Sequence, residues 1–137
     1  MDGYGKRVLI VEDDNTARDM LAAILVQAGY NVHTASDGQG ALMEMKRRHF
    51  DVVVTDYHMP RLNGMELLSL CRIVWPDTPV VIVSGDPANM SDVAIHQGAQ
   101  AWIQKPFESS RLLEVLRQAL HASTEDHSHN ILHPTIG

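Results

Sequence analysis

The sequence has 137 residues, 45% of them apolar and 20% charged, and its formal net charge is −6. This length suits one globular domain, and the composition excludes a disordered or fibrous chain. The negative charge argues against direct DNA binding, because affinity for the phosphate backbone needs clustered Lys and Arg. No apolar run approaches the roughly 20 residues that cross a bilayer, and residues 1–7 do not resemble a signal peptide. We therefore expect a cytoplasmic protein without membrane contact.

The first part of the chain alternates between strand and helix patterns. The continuously apolar run at residues 8–11 predicts a buried strand, and Asn15 is placed to cap the helix that follows. Gly29 is a typical helix stop, and residues 31–35 predict a second strand. Asp37 then begins a second helix, whose last turn carries cations that suit the negative end of the helix dipole.

The rest of the chain repeats this alternation three more times. The third strand pattern is followed by a well-defined amphipathic helix, and the fourth by a helix with a weak apolar pattern. The predicted strands are residues 52–55, 80–83 and 101–103, and the predicted helices are residues 64–74, about 88–97, and a last helix that begins at Ser109 or Ser110.

Five strand–helix units in succession predict an α/β fold with a parallel sheet between helices, because βαβ crossovers are right-handed. We assign residues 7–121 to this single domain. Residues 123–137 lose the pattern, and we expect them to form a disordered tail.

Polar residues follow four of the predicted strands. In a doubly wound parallel sheet, ligands bind beyond the carboxyl ends of the strands, where the strand order reverses. Side chains at these positions should therefore meet at one edge of the sheet. They are Glu12, Asp13 and Asp14 after the first strand, Asp56 after the third, Ser84 and Asp86 after the fourth, and Lys105 after the fifth.

Carboxylates gathered at one edge repel each other, since two charges about 4 Å apart cost about 4 kcal/mol at an effective dielectric near 20. Mg²⁺ relieves such repulsion and prefers oxygen ligands together with a substrate phosphate. It would also neutralise the charge of a phosphoryl group attacked by Asp56, while Lys105 and the Ser84 hydroxyl bind its other oxygens. A carboxylate nucleophile of this kind yields an acyl phosphate.

Four segments occur in an order that is specific in combination: VLIVEDDN, DVVVTDYHMPRLNGMELL, VVIVSGD and GAQAWIQKPF. Together they resemble the receiver domains of bacterial response regulators, the CheY-like family of two-component signal transduction, over about residues 7–121. The resemblance implies a (βα)5 doubly wound, five-stranded parallel sheet of flavodoxin-like order 2-1-3-4-5, with helices on both faces.

The resemblance also implies how the metal and the phosphoryl group are held. Asp56 would be the phosphoacceptor. The cofactor would be Mg²⁺, bound by the side chains of Glu12, Asp13 and Asp56 and by the backbone carbonyl of His58. Asp13 would be the direct metal ligand of the acidic pair, and Met59, Pro60 and Gly64 would belong to the loop that leaves the third strand.

Further positions match the part of the family that responds to phosphorylation. Ser84 corresponds to the switch hydroxyl, and Lys105 to the lysine that contacts the phosphoryl group, with a cis bond to Pro106. Trp102 stands where an aromatic ring usually turns inward on activation. Its indole is larger than the usual ring, so Trp102 is either a moving switch or a fixed part of an interaction face.

For three other side chains, the sequence leaves two roles open. Asp14 and Asp86 either support the site or are ordinary loop acids. The backbone of His58 is expected to serve the metal, and its imidazole either lies over the site or takes no part in it.

The resemblance implies a signalling switch with no enzymatic turnover beyond Mg²⁺-dependent self-phosphorylation and dephosphorylation. A sensor histidine kinase or a histidine phosphotransfer protein would supply the phosphoryl group, and an unidentified downstream protein would recognise the changed surface. One alternative is an aspartyl-phosphate phosphohydrolase, but such enzymes need a second Asp where this chain has His58. The other is a binding module that works without phosphorylation. The chain could act alone, as a relay intermediate, or within a larger protein.

Overall fold

The computed structural model describes residues 5–87 and 90–132, with side chains described as far as residue 122. Five strands and five helices alternate along this part of the chain. The strands are β1 (Arg7–Val11), β2 (Asn31–Ala35), β3 (Val52–Asp56), β4 (Val80–Ser84) and β5 (Ala101–Gln104), and the helices are α1 (Asn15–Gln27), α2 (Gly38–Arg47), α3 (Gly64–Val74), α4 (Ser91–His96) and α5 (Ser109–Leu132).

All five strands are parallel, and their order in the sheet is β2-β1-β3-β4-β5. This confirms the predicted (βα)5 fold and its strand order. The chain adds β2 on one side of β1 and β3 on the other, with Val11 opposite both Ala35 and Thr55. The order therefore reverses at β1 and β3, and the carboxyl ends of these two strands flank the crevice in which ligands of such sheets bind.

Each face of the sheet carries its own apolar core, because successive strand residues point to opposite faces. Leu9, Val53 and Ile82 pack with α2, α3 and α4, while the neighbouring strand residues pack with α1 and α5. Both cores exclude water from the three central strands, which explains why these strands are continuously apolar. The rigid sheet fixes the positions of the residues that follow each strand.

The helix starts are set by side-chain caps. The predicted Asn15 cap of α1 is wrong: Asp14 is the N-cap, and its carboxylate accepts the Ala17 N–H at 2.8 Å. Both residues are good caps, and the chain enters the helix one residue earlier than predicted. Asp37 caps α2 as predicted, and Asn63 caps α3 in a reciprocal capping box.

The last two helices differ in extent from the prediction. Helix α4 is Ser91–His96, shorter than predicted, and residues 88 and 89 lie outside the described residues. Helix α5 continues to Leu132, whereas we expected a disordered tail from residue 123. No Gly or Pro interrupts the sequence between Ser109 and Leu132, so nothing in the backbone chemistry stops the helix. Residues 133–137 of that tail lie outside the described residues.

Among the described helices, none has both the length and the apolar character that a membrane span requires.

Candidate functional site

Three carboxylates meet at the carboxyl end of the sheet. Glu12 and Asp13 directly follow β1, and Asp56 is the last residue of β3. Each offers one carboxylate oxygen, and these oxygens lie within 4.8 Å of one another. Glu12 is buried, Asp13 is exposed, and the Asp56 side chain is 12% exposed. The side-by-side pairing of β1 and β3 thus brings together the acids that the sequence placed at this edge.

A single ammonium group lies among these acids. Lys105 follows β5, and its Nζ donates to Oε1 of Glu12 at 3.1 Å and to Oδ1 of Asp56 at 3.2 Å. The backbone N–H of Lys105 donates to the Ser84 carbonyl at 2.7 Å, and the Lys105–Pro106 peptide bond is cis, as the resemblance implied. The lysine backbone is therefore fixed to β4, and its side chain reaches across to β1 and β3.

The charges in this cluster perturb one another. Burial and the charge of Asp56 raise the pKa of Glu12, and the nearby Lys105 only partly offsets this. For Lys105, burial acts to lower the pKa, but the charges of Asp56 and Glu12 outweigh it, so its pKa is raised. One ammonium among three carboxylates leaves an excess of negative charge. The donor set is all oxygen, which fits a hard cation such as Mg²⁺.

Ser84 is fully buried at the end of β4, and its hydroxyl oxygen accepts the Asp86 N–H at 3.0 Å. The switch hydroxyl predicted from the sequence thus holds the segment that follows β4.

The two undecided loop acids have identifiable partners. Asp14 caps α1, and its N–H lies 3.3 Å from Oε2 of Glu12. Asp86 lies with one carboxylate oxygen 2.6 Å from Nε2 of His58, which joins the loop after β3 to the loop after β4. Neither contact was predicted, because each depends on loop geometry that no motif encodes. The imidazole of His58 is 65% exposed and packs edge-on against Tyr57, with the ring centroids 4.7 Å apart.

Trp102 is partly buried on β5. Its ring lies against Tyr57 with centroids 5.5 Å apart, and its Nε1–H donates to Oε1 of Gln104 at 3.3 Å. Gln104 in turn donates from Nε2 to the Asp86 carbonyl at 2.9 Å. Gln104 was not predicted from the sequence, since a Gln next to the lysine belongs to no chemical motif.

The loop after β3 is fixed close beneath the candidate nucleophile. Gly64 donates its N–H to the Tyr57 carbonyl at 2.9 Å, and a Cβ at position 64 would lie 2.5 Å from the Asp56 carbonyl oxygen. Met59 is buried beside Thr55, and Arg61 has a positive φ of 69°. This close approach of two backbone segments leaves room for glycine alone at position 64.

Comparison with known proteins agrees with this geometry. A family model, the response regulator receiver domain, matches residues 8–117. The chemotaxis protein CheY of Thermotoga maritima is 37% identical over 117 residues, which cover 83% of this chain and 97% of that protein. The nitrogen assimilation regulatory protein NtrX of Azorhizobium caulinodans is 37% identical over 116 residues, which cover 82% of this chain and 26% of that protein.

Solved structures show the same similarity. The crystal structure of NtrX from Brucella abortus matches with a TM-score of 0.88 and 33% identity, over 93% of this chain and 29% of that chain. The chain therefore spans about a quarter of the length of NtrX relatives and nearly all of a CheY. Most of the chain lies within the matched family model, and the sheet order is the one predicted from the resemblance. The chain belongs to the response regulator receiver domain family of two-component signal transduction.

Proposed function

We propose that this receiver domain is a Mg²⁺-dependent switch that carries a phosphoryl group on Asp56. The observation that supports this most directly is the position of Asp56. Its carboxylate lies at the end of β3, within reach of Lys105 Nζ at 3.2 Å and beside the acidic pair of Glu12 and Asp13. A nucleophile, a cation and a candidate metal site therefore meet at one partly exposed point.

The phosphoryl group would come from a phosphohistidine of a sensor histidine kinase or a histidine phosphotransfer protein. One carboxylate oxygen of Asp56 attacks phosphorus, and the P–N bond to the imidazole breaks as the new P–O bond forms. The electron pair of the P–N bond returns to the imidazole, which takes up a proton from solvent. Lys105 is placed to bind a phosphoryl oxygen, and the buried Ser84 hydroxyl would turn to another.

Glu12, Asp13 and Asp56, with the backbone carbonyl of His58, would hold the Mg²⁺ ion. The excess of negative charge supports a cation here in addition to Lys105, and the charge of Asp56, together with burial, raises the pKa of Glu12. When bound, Mg²⁺ supplies positive charge against the phosphoryl oxygens. The residues of the chain orient the nucleophile and exclude competing donors.

The output surface would include the exposed side of β5. An open cleft of about 680 Å³ is lined by Trp102, Gln104 and Phe107, together with residues of the β4–α4 segment and α5. It adjoins the residues that respond to phosphorylation, and a downstream protein could recognise a change there. The domain acts in regulation, and it turns over only its own phosphoryl group.

Intact-mass spectrometry after incubation with acetyl phosphate and Mg²⁺ tests the phosphoacceptor. We expect one added phosphoryl group in the wild type and in Asp19→Asn, a variant of an exposed acid on α1. We expect none in Asp56→Asn and none in EDTA. A phosphoryl group that persists in Asp56→Asn would show that another residue is the acceptor.

Thermal unfolding tests the metal site without any phosphodonor. Saturating Mg²⁺ should raise the Tm of the wild type, because ligands that bind only the folded state stabilise it. The increase should be much smaller in Asp13→Asn and unchanged in Asp19→Asn. Equal increases in all three proteins would place Mg²⁺ binding outside the acidic cluster.

A further inference from the structure

A chain of contacts connects the candidate switch hydroxyl to the Trp102 ring, and it passes through a residue with no assigned role. Ser84 Oγ accepts the N–H of Asp86 at 3.0 Å, and the carbonyl of Asp86 accepts from Nε2 of Gln104 at 2.9 Å. The amide oxygen of Gln104 then accepts Nε1–H of Trp102 at 3.3 Å. Within this series of hydrogen bonds, Gln104 is therefore the residue that contacts both the β4–α4 segment and the indole.

The placement of Gln104 follows from strand geometry. Residues two apart on a strand point to the same face, so Trp102 and Gln104 share one face of β5 while Lys105 points toward the site. Gln104 is exposed and lies opposite Ser84 in the β4–β5 pairing, so its side chain can reach Asp86, two residues beyond Ser84. An amide is the side chain that suits this position, because it offers one donor and one acceptor at its tip.

We propose that Gln104 is a positioning residue that holds the Trp102 ring in its present partly buried orientation and so opposes an inward turn of the ring; this rests on the proposed function of Asp56. In this orientation the indole N–H has an acceptor and the ring packs against Tyr57. If the ring turns inward it moves away from Gln104, so the hydrogen bond from the indole N–H to the Gln104 amide oxygen must break during switching. When Ser84 turns to the phosphoryl group, its hydrogen bond from the Asp86 N–H breaks; Asp86 keeps its other contacts, including the one with His58, but its carbonyl is held less firmly, so Gln104 restrains the ring less.

The proposal predicts a definite sign for the loss of the amide. Gln104→Met keeps the length of the side chain and removes both hydrogen bonds. Without them, the inward population of Trp102 should rise about fivefold, the effect expected for hydrogen bonds of ordinary net strength. A ligand that binds only the switched form should then bind about fivefold more tightly. Gln100→Met, a change of an exposed glutamine just before β5, is the matched control.

Calorimetric titration with beryllofluoride and Mg²⁺, a mimic of the phosphoryl group, measures this affinity. We expect tighter binding for Gln104→Met, no change for Gln100→Met, and an increase for Trp102→Phe, which lacks the indole N–H. The double variant Gln104→Met/Trp102→Phe should gain less than the sum of the two single changes, because both remove the Gln104–Trp102 hydrogen bond, and only Gln104→Met also removes the bond to the Asp86 carbonyl. Unchanged or weaker binding in Gln104→Met, or full additivity, would overturn the proposal.

A second measurement keeps this test separate from the proposed function. 5-Fluorotryptophan in a Trp75→Phe background gives a fluorine NMR signal from Trp102 alone, without metal or phosphoryl mimic. Gln104→Met should shift this signal toward the inward environment, and Gln100→Met should not. An identical signal in wild type and Gln104→Met overturns the role of Gln104. Absence of Asp56-dependent beryllofluoride binding in the wild type would instead reject the proposed function.

Discussion

The two ends of the sheet carry opposite charge and satisfy it in different ways. At the carboxyl end, Glu12 and Asp56 share one lysine, and the Asp13 carboxylate lies beside them. At the amino end, basic residues gather near the end of α2, and two further arginines belong to β1 and α3. Most of these cations already have partners: Arg7 donates to the His49 carbonyl at 3.0 Å, and Glu44 lies 3.6 Å from Arg47 and 3.8 Å from Arg48.

The paired cations of the amino end stabilise the fold, whereas the incompletely paired carboxylates of the carboxyl end are available to a ligand. The cations of the amino end bind carbonyl groups and Glu44 of the same chain, so they are part of the folded structure. The acids of the carboxyl end repel one another, and burial raises the pKa of Glu12 further. Uncompensated charge at a sheet edge is therefore the better indicator of a binding site, and four measurements test the contrast.

The largest effect is expected at the basic end, for Arg72→Met. Arg72 donates to the Trp75 carbonyl at 3.3 Å and to the Thr78 carbonyl, and its methylenes pack over Gly98. Removal leaves these carbonyls without their charged donor, so the free energy of unfolding should fall by about 3 kcal/mol. Urea denaturation should give the same loss with and without Mg²⁺. Lys46→Met, at an exposed position of the same end, should change it by less than about 0.5 kcal/mol.

A smaller and metal-dependent effect is expected for Lys105→Met. When the Lys105 ammonium is removed, the negative charges of Glu12 and Asp56 have no positive charge between them. The free energy of unfolding in EDTA should therefore fall by about 2 kcal/mol. Saturating Mg²⁺ should restore part of this loss, because the metal supplies positive charge to the same oxygens. A loss of the same size in EDTA and in Mg²⁺ would mean that Lys105 acts through packing alone.

The pH dependence of stability gives a third contrast, at the acidic end. The pKa of Glu12 is raised in the folded state by burial and by Asp56, so the folded protein binds this proton more tightly than the unfolded chain does. In EDTA, stability should therefore rise as the pH falls from neutrality toward 4.5, the ordinary pKa of Glu. Denaturation at several pH values should show this rise in the wild type and not in Glu12→Gln.

The smallest effect, with the opposite sign, is expected from His33 at the basic end. Burial, Arg48 and Arg7 lower the pKa of His33 in the folded state. The unfolded chain then binds this proton more tightly, so stability should be lost as the pH falls below 6.5. The difference between wild type and His33→Gln isolates this contribution. A gain of stability on acidification in that difference would contradict the assigned shift.

Local chemistry in the sequence was enough to predict the sheet and most of the site. Helix α3 has the predicted bounds because Gly64 and the turn after Val74 end its apolar pattern clearly. The acids after β1 and β3 were predicted together because parallel strands place their carboxyl ends at one edge. Helix α5 was predicted too short, since a polar sequence without Gly or Pro can be helical without showing an apolar stripe.

The contacts that could not be predicted are those between loops. The Asp86–His58 pair depends on how two loops approach each other, and Gln104 reaches Asp86 because the β4–β5 pairing sets it opposite Ser84. The role of Arg72 is hidden for the same reason, since its acceptors are carbonyl groups that any residue would provide. Side-chain pattern specifies strands and helices, whereas these contacts depend on distances set by the whole fold.

The close approach at Gly64 has a consequence for how the sequence can vary. A Cβ there would lie 2.5 Å from the carbonyl oxygen of Asp56, which is backbone and cannot move aside as a side chain could. At Gly85, by contrast, the nearest atom to such a Cβ is Cδ of Lys105 at 3.7 Å, an ordinary contact. A library that randomises position 64 should therefore return only glycine among variants that can be phosphorylated, while position 85 tolerates alanine.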